Sequence, residues 1–219
     1  MGYITRHLNL VGSFLFLIGF AILFKVFFPV INQEIDYRLN QLTANDTQVI
    51  IKPSQANSIS DFDYQLQKEA LVPKDYKFSL IVPKIGINTK VAPNIDSSDK
   101  DQYLPVLQEN GAAHAQNSSL PNQLGPVFIF GHSTDSFANI RSYNAPFFLL
   151  RKLEKGDDVH VFFNKLQYDY RVVDKKVVAP EDVSMYVRNT TGNTLILQTC
   201  SPPGTTLKRL LVFADFAGK

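Results

Sequence analysis

The sequence contains very little cysteine. Cys200 is the single cysteine among 219 residues, and tryptophan is absent. One cysteine excludes an intrachain disulfide framework and every paired-cysteine metal motif. The four histidines are scattered without an i, i+4 pair, which argues against a zinc site. The chain also lacks a Gly-rich phosphate loop and a dinucleotide fingerprint. Its formal net charge of +2 is too small to indicate a nucleic-acid partner.

A long apolar run opens the chain. Leu8–Phe24 carries no charged residue over 17 positions, and about 17–25 helical residues span the hydrocarbon core of a bilayer. A cleavable signal peptide is the competing interpretation, but no small-x-small cleavage site follows the run. Arg6 on the leading side favours a cytoplasmic N-terminus. We therefore expect an uncleaved, single-pass anchor in the cell membrane, with the rest of the chain outside the cytoplasm.

The polarity pattern divides the chain into three parts. We expect a cytoplasmic tip and transmembrane anchor over residues 1–31, a stalk and linker over 32–75, and a folded domain over 76–219. In the folded domain, short β-type runs alternate with turn residues, and helical material is sparse. Many short strands favour an all-β barrel or sandwich over a βαβ fold. The predicted strands are Phe78–Val82, Ile85–Val91, Val127–Gly131, Val159–Phe163, Gln167–Ala179, Thr194–Thr199 and Leu207–Asp215.

Three reactive side chains each end or interrupt one of these apolar runs. Cys200 closes a run, His132 follows the strand that ends at Gly131, and Arg209 lies among apolar neighbours. Taken singly, such residues are more often buried filler, a loop histidine and a surface cation. Together they meet the needs of acyl transfer. A thiolate attacks, an acid–base group serves the amine, and a donor stabilises the oxyanion.

A hairpin between the last two predicted strands would bring two of these side chains together. With a loop over Ser201–Thr206, Cys200 lies opposite Leu207 and Gln198 lies opposite Arg209. Residues two apart on a strand share a face, so Cys200 and Arg209 are expected to be diagonal neighbours.

These residues resemble the sortase family, the membrane-anchored cysteine transpeptidases of bacteria that attach surface proteins to the envelope or polymerise pilins. The resemblance rests on Leu197-Gln198-Thr199-Cys200, with Arg209 nine residues later and Gly131-His132-Ser133 earlier in the chain. It covers roughly residues 78–216 and is to the family as a whole, with no class singled out. It implies an all-β fold, a closed sortase-type β-barrel with a few short helices, preceded by the transmembrane helix.

The resemblance implies a role for each matching residue. Cys200 is the nucleophile that forms a thioester with a sorting-signal peptide. His132 protonates the departing amine and deprotonates the incoming one, and Arg209 holds the substrate backbone and the oxyanion. Thr199 supports the site, and His114 matches a family position for which we favour a structural role. The implied partners are the sorting-signal peptide and an amine of the cell envelope or of a pilin-like subunit. No cofactor or metal is implied.

Two other classes of protein stay open. A non-catalytic, membrane-tethered β-barrel could bind envelope peptides with the same fold. A cell-wall endopeptidase or an L,D-transpeptidase would also use a thiol. However, those endopeptidases place cysteine before histidine, and the L,D-transpeptidase motif places arginine two residues after cysteine. The order His132, Cys200, Arg209 therefore favours a sortase-like transpeptidase.

Overall fold

The computed structural model describes residues 71–133 and 146–219, together with isolated positions between residues 14 and 39. About half of the predicted anchor over Leu8–Phe24 and most of the predicted stalk over 32–75 lie outside the described residues. Among the positions that are described, no helix has the length and apolar character needed to cross a membrane.

Eight strands within the described ranges close into a barrel. Their order around the barrel is β1-β2-β3-β4-β7-β8-β6-β5. The pairs β2–β3 and β4–β7 are parallel, and the other pairs are antiparallel. The strands are β1 (Phe78–Val82), β2 (Ile87–Ile95), β3 (Gly111–Ala115), β4 (Val127–Gly131), β5 (Asp158–Phe163), β6 (Leu166–Val178), β7 (Thr194–Ser201) and β8 (Lys208–Gly218).

All seven predicted strands are confirmed, two of them at their predicted bounds, and the barrel is the architecture observed. Asn164 and Lys165 form a tight turn between β5 and β6, and both have positive φ angles, 50° and 69°. Such angles are those of a type I′ turn, which matches the twist of the flanking strands. Strand β3 was not predicted, because its small residues give no clear strand pattern.

Within residues 71–133 and 146–219, five short helical segments connect the strands. The α-helices are α1 (Lys100–Asn110) and α2 (Val183–Asn189), and the 3₁₀ segments are Pro83–Ile85, Pro146–Lys152 and Pro180–Asp182. Helix α1 was not predicted. It begins after an N-cap, since the Asp99 carboxylate accepts hydrogen bonds from the backbone N–H groups of Asp101 and Gln102.

The core has two layers on opposite sides of the sheet. The barrel interior is filled by alternate residues of all eight strands, including Leu80, Ile129 and Leu197. A second apolar layer covers the outer face of β3, β4, β7 and β8, where residues of α1 and α2 pack against Phe130, Ile196, Leu211 and their neighbours. Because side chains alternate between faces, every second residue of β4, β7 and β8 points into this outer layer.

Candidate active site

The parallel pairing of β4 with β7 brings His132 beside Cys200. Phe130 is the register partner of Gln198, and extending this register by two residues places His132 next to Cys200. Adjacent strands lie about 4.8 Å apart, so these two positions are neighbours. Both side chains fall on the outer face, in line with Phe130 and beyond the end of the outer apolar layer.

The antiparallel pairing of β7 with β8 places Arg209 on the other side of Cys200. The two residues are direct register partners, and they therefore share the outer face. The three side chains lie on neighbouring strands with the thiol in the middle. The structure thus brings together all three residues that the sequence singled out for chemistry.

The predicted register of this hairpin was wrong by two residues. Ser201 continues the ladder opposite Lys208, so the loop covers residues 202–207 instead of 201–206. Moving a loop of the same length one position along the chain changes every pairing by two. Leu207 lies in the loop and is 71% exposed, and Cys200 faces Arg209 directly, not diagonally.

Thr199 fastens the end of β7 to the end of β4 on the interior side. Its side chain is buried, and its hydroxyl donates a hydrogen bond of 3.0 Å to the carbonyl oxygen of Gly131. Gly131 immediately precedes His132, and Thr199 immediately precedes Cys200. This one hydrogen bond therefore fixes the relative positions of the backbones that carry the imidazole and the thiol.

The glycine before His132 is required by close packing. A Cβ atom at Gly131 would lie 3.0 Å from two ring carbons of Phe147 and 3.1 Å from the carbonyl oxygen of Gly111. Contacts this short force neighbours to move, and backbone atoms yield little. The absence of a side chain lets the end of β4 pack closely against the 3₁₀ segment Pro146–Lys152 and against β3.

The guanidinium of Arg209 is held by the loop between β7 and β8. Its Nη1 group donates to the carbonyl oxygen of Thr206 at 2.9 Å and to that of Lys208 at 3.1 Å. Thr205 and Thr206 of the same loop line the cleft above Cys200. The loop backbone thus positions the guanidinium at the edge of the cleft, where a planar fork of donors can meet a developing negative charge.

These residues lie in a cleft of about 400 Å³ between α1 and the β7–β8 loop. One wall is a face of α1 with the spacing i, i+3, i+4, i+7. The floor is formed by the ends of β4 and β7, and the far wall by the loop and Arg209. The cleft is lined by Ser97, Lys100, Tyr103, Leu104, Leu107, Phe130, Gly131, His132, Gln198, Cys200, Thr205, Thr206 and Arg209.

Tyr103 on α1 is a residue of this cleft that sequence analysis missed. Its ring packs edge to face on Phe130, with centroids 5.9 Å apart. Burial raises the pKa of Tyr103, negative charge on Cys200 acts in the same direction, and Arg209 opposes both. A signal was available in the sequence, because Asp99 is a good N-cap and the cleft-lining residues that follow have helical spacing. Pro105 within this row obscured it.

His114 does not belong to the cleft. It lies buried on β3 and points into the barrel, where its ring packs 5.7 Å from that of Phe78. Its Nε2 group donates to the carbonyl oxygen of Ser119 at 3.0 Å and lies 2.8 Å from the hydroxyl of Ser118. Its Nδ1 atom accepts from the backbone N–H of Asn94 at 3.4 Å. Burial lowers the pKa of His114, in keeping with a neutral ring in a structural position.

Comparison with known proteins agrees with this fold. A family model described as the sortase domain matches residues 80–217. Sortase D of Bacillus subtilis (strain 168) is 25% identical over 166 residues, which cover 74% of this chain and 76% of that protein.

Two solved structures share the fold. Sortase C-1 from Actinomyces oris has a TM-score of 0.54 at 22% identity, covering 84% of this chain and 99% of that one. A lid mutant of sortase A from Corynebacterium diphtheriae has a TM-score of 0.52 at 24% identity, covering 76% and 83%. The family model matches more than half of the chain, and the protein therefore belongs to the sortase family. Membership supports a transpeptidase role in general and an association with the cell envelope.

Proposed function

We propose that the protein is a cysteine transpeptidase that cleaves a peptide bond in a sorting signal and transfers the acyl group to an amine. The observation that carries this proposal is the position of Cys200 between His132 and Arg209 on one face of three neighbouring strands. Only a nucleophile, a proton-transfer group and an anion-binding group are needed for acyl transfer, and the cleft holds one of each.

The first half of the reaction forms a thioester. The Cys200 thiolate attacks the scissile carbonyl carbon, and the carbonyl oxygen takes up the negative charge, which Arg209 stabilises. When the tetrahedral intermediate collapses, the C–N bond breaks and His132 gives its proton to the departing amine. The products of this half are an acyl-enzyme and a free C-terminal peptide fragment.

The second half transfers the acyl group. An incoming amine attacks the thioester carbonyl and loses a proton to His132. The C–S bond then breaks, which regenerates the thiolate and leaves a new amide bond. Water can replace the amine and release the acid instead. The acceptor amine belongs to the cell envelope or to another surface protein, in line with the family.

Thr199 and the β7–β8 loop have supporting roles in this proposal. Thr199 keeps the strand ends aligned through Gly131, so that the imidazole stays beside the thiol. The carbonyl groups of Thr206 and Lys208 hold the guanidinium. These contacts are made without substrate, so the site is organised before substrate binds.

The proposed arrangement of the whole chain follows from the sequence. Residues 1–31 form a cytoplasmic tip and membrane anchor, residues 32–75 form a stalk, and residues 76–219 form the catalytic domain outside the cytoplasm. The uncharged run Leu8–Phe24 supports the anchor, because its length suits a bilayer. In this arrangement the anchor binds the membrane, and the catalytic domain binds the sorting-signal peptide outside the cytoplasm.

Incubation of the full-length protein with a sorting-signal peptide library and an excess of a small amine tests the function. We expect mass spectrometry to show shortened peptides whose new C-terminus carries the amine. The Cys200→Ala variant should yield neither the shortened nor the amine-capped product. Tight peptide binding without any cleavage would instead indicate a non-catalytic peptide-binding barrel.

A further inference from the structure

Helix α1 contributes one residue with a hydroxyl group to the lining of the cleft that contains Cys200. Of the four α1 residues that line the cleft, Leu104 and Leu107 are apolar, and Lys100 lies at the exposed start of the helix. Tyr103 is the remaining one. The helix is fixed at both ends, by the Asp99 cap and by the hydrogen bond of 2.8 Å from the Thr89 hydroxyl to the carbonyl oxygen of Asn110.

The ring of Tyr103 is held in one place by β4. It packs edge to face on Phe130, and Phe130 precedes His132 by two residues on the same face. Phe130 is also the register partner of Gln198, which precedes Cys200 by two residues on that face. The ring therefore packs on the residue that precedes His132 by two on the same face, and Tyr103 lines the cleft that contains both reactive residues.

The hydroxyl of Tyr103 has a proton that it can donate in a hydrogen bond. It makes no hydrogen bond to any other residue of the part of the chain that the structure describes. A partly buried tyrosine hydroxyl normally finds a partner. Charges on Cys200 and Arg209 both affect the ionisation of the phenol, so the phenol lies within electrostatic range of both groups. Burial and the thiolate both raise the pKa of Tyr103, and the hydroxyl therefore remains protonated and able to donate.

We propose that Tyr103 is a further catalytic residue of the transpeptidation proposed above, and that its hydroxyl donates a hydrogen bond to the Cys200 sulfur whenever that sulfur is negatively charged. Arg209 approaches the cleft from β8 and Tyr103 from α1, so the thiolate is flanked by donors on two sides. The phenolic proton stays on Tyr103 throughout. The negative charge leaves the sulfur when the C–S bond forms and returns when that bond breaks.

This role affects the thiol even before any peptide binds. A donor to the thiolate favours the charged form, so its removal should raise the pH at which Cys200 becomes reactive. A hydrogen bond to a charged group corresponds to about one pH unit or more. A residue that only shapes the peptide-binding wall would leave the resting thiol unchanged.

The test is the pH dependence of Cys200 alkylation by iodoacetamide in the full-length Tyr103→Phe variant. Phenylalanine keeps the ring on Phe130 and removes only the hydroxyl. Cys200 is the single cysteine in the sequence, so the mass of the intact protein reports alkylation of this thiol alone. Tyr186→Phe is the matched control, because Tyr186 packs its ring on Phe213 in the same outer layer and does not line the cleft.

We expect the midpoint for Tyr103→Phe to move up by about one pH unit, with the control superimposed on the wild type. At a pH below both midpoints this shift slows alkylation about tenfold. A Tyr103→Phe profile that coincides with the wild-type profile would overturn the proposal. The measurement uses no peptide, so it remains decisive if the wild-type protein proves unable to transfer acyl groups. In that case the proposed function fails on the peptide assay alone.

Discussion

Each reactive side chain of the cleft is held by a different neighbour. Arg209 is held by two carbonyl groups of its own loop, and His132 follows a glycine that packs tightly on Phe147. Thr199 links the strands that carry His132 and Cys200. These contacts place three chemically different groups around one point, and the Nη1 group that holds Arg209 to its loop leaves the other nitrogens of the guanidinium for an oxyanion.

Replacing Arg209 by lysine should slow the reaction strongly. Lysine keeps the positive charge but loses the planar fork that donates to the loop carbonyls and to an oxyanion. Loss of an oxyanion donor costs about 10²–10³ in kcat. The matched control is Arg171→Lys, since Arg171 pairs with Asp158 on an exposed part of the barrel. Near-normal turnover of Arg209→Lys in a steady-state peptide assay would show that Arg209 is only a surface cation.

His114 should make the folded state less stable in mild acid. Burial lowers the pKa of His114 in the folded protein, whereas the unfolded chain titrates near 6.5. Below about pH 6.5 the unfolded state therefore binds a proton that the folded state does not, and stability falls as the pH drops towards the folded-state pKa. Protonation of Nδ1 would also oppose the N–H group of Asn94.

Urea unfolding at pH 7.5 and pH 5.5 measures this effect. The wild type should lose about 1 kcal/mol more than His114→Gln between the two pH values, because glutamine does not titrate. Equal losses in the two proteins would show that His114 titrates alike in the folded and unfolded states. Because His114 lies outside the cleft, the wild type and His114→Gln should cleave peptide at the same rate at pH 7.5.

At the scale of elements, the parallel contact between β4 and β7 organises the site. Two strands distant in sequence end side by side, and each continues into a residue of the cleft. A hydrogen bond from the Thr199 hydroxyl to the Gly131 carbonyl oxygen links the two strands near their ends. A small displacement of one strand end would separate the imidazole from the thiol.

Thr199→Val should loosen this contact without changing the volume of the side chain. The carbonyl group of Gly131 would lose a buried hydrogen bond, which costs about 1–3 kcal/mol of stability. We expect a lower urea midpoint and a lower kcat, and Thr199→Ser should restore most of both. A valine variant with wild-type stability and turnover would rule out a positioning role for this hydroxyl.

The sequence revealed those elements whose patterns are set by burial. Strand β4 is apolar on both faces, because the barrel interior lies on one side and the outer layer on the other. Strand β1 is buried at every position, and Ser79 is its one polar residue. Helix α1 escaped detection because only a narrow face is apolar and because a proline, Pro105, lies inside the helix. Strand β3 consists of small residues that fit between its neighbours without a strong β-type signal.

The composition of the site was accessible from the sequence, but its geometry was not. Cys200, His132 and Arg209 stand out as polar residues at the ends of apolar runs. Their exact pairing depends on where one loop begins, and local sequence does not fix that position. The place of Tyr103 in the cleft could not be predicted from the sequence for a different reason, because it depends on which strands α1 covers.

At the scale of the whole molecule, the barrel and its proposed anchor define where the site can act. An anchor at Leu8–Phe24 with Arg6 on its cytoplasmic side would leave the catalytic domain facing the envelope. Protease added to spheroplasts should then cut near Ser54–Ser60 and release a soluble fragment that contains Cys200. A full-length protein that resists protease until the membrane is breached would place the domain inside the cell.

The central claim is that acyl transfer passes through a thioester on Cys200. Mixing the full-length protein with a peptide that it cleaves, without an acceptor amine, and quenching in acid should trap this intermediate. We predict an increase in protein mass equal to the acyl fragment, located at Cys200 by peptide mapping and removed by hydroxylamine. The Cys200→Ala variant should show no such increase. Cleavage and transfer that proceed while Cys200 stays unmodified, or that persist in a folded Cys200→Ala protein, would contradict the account.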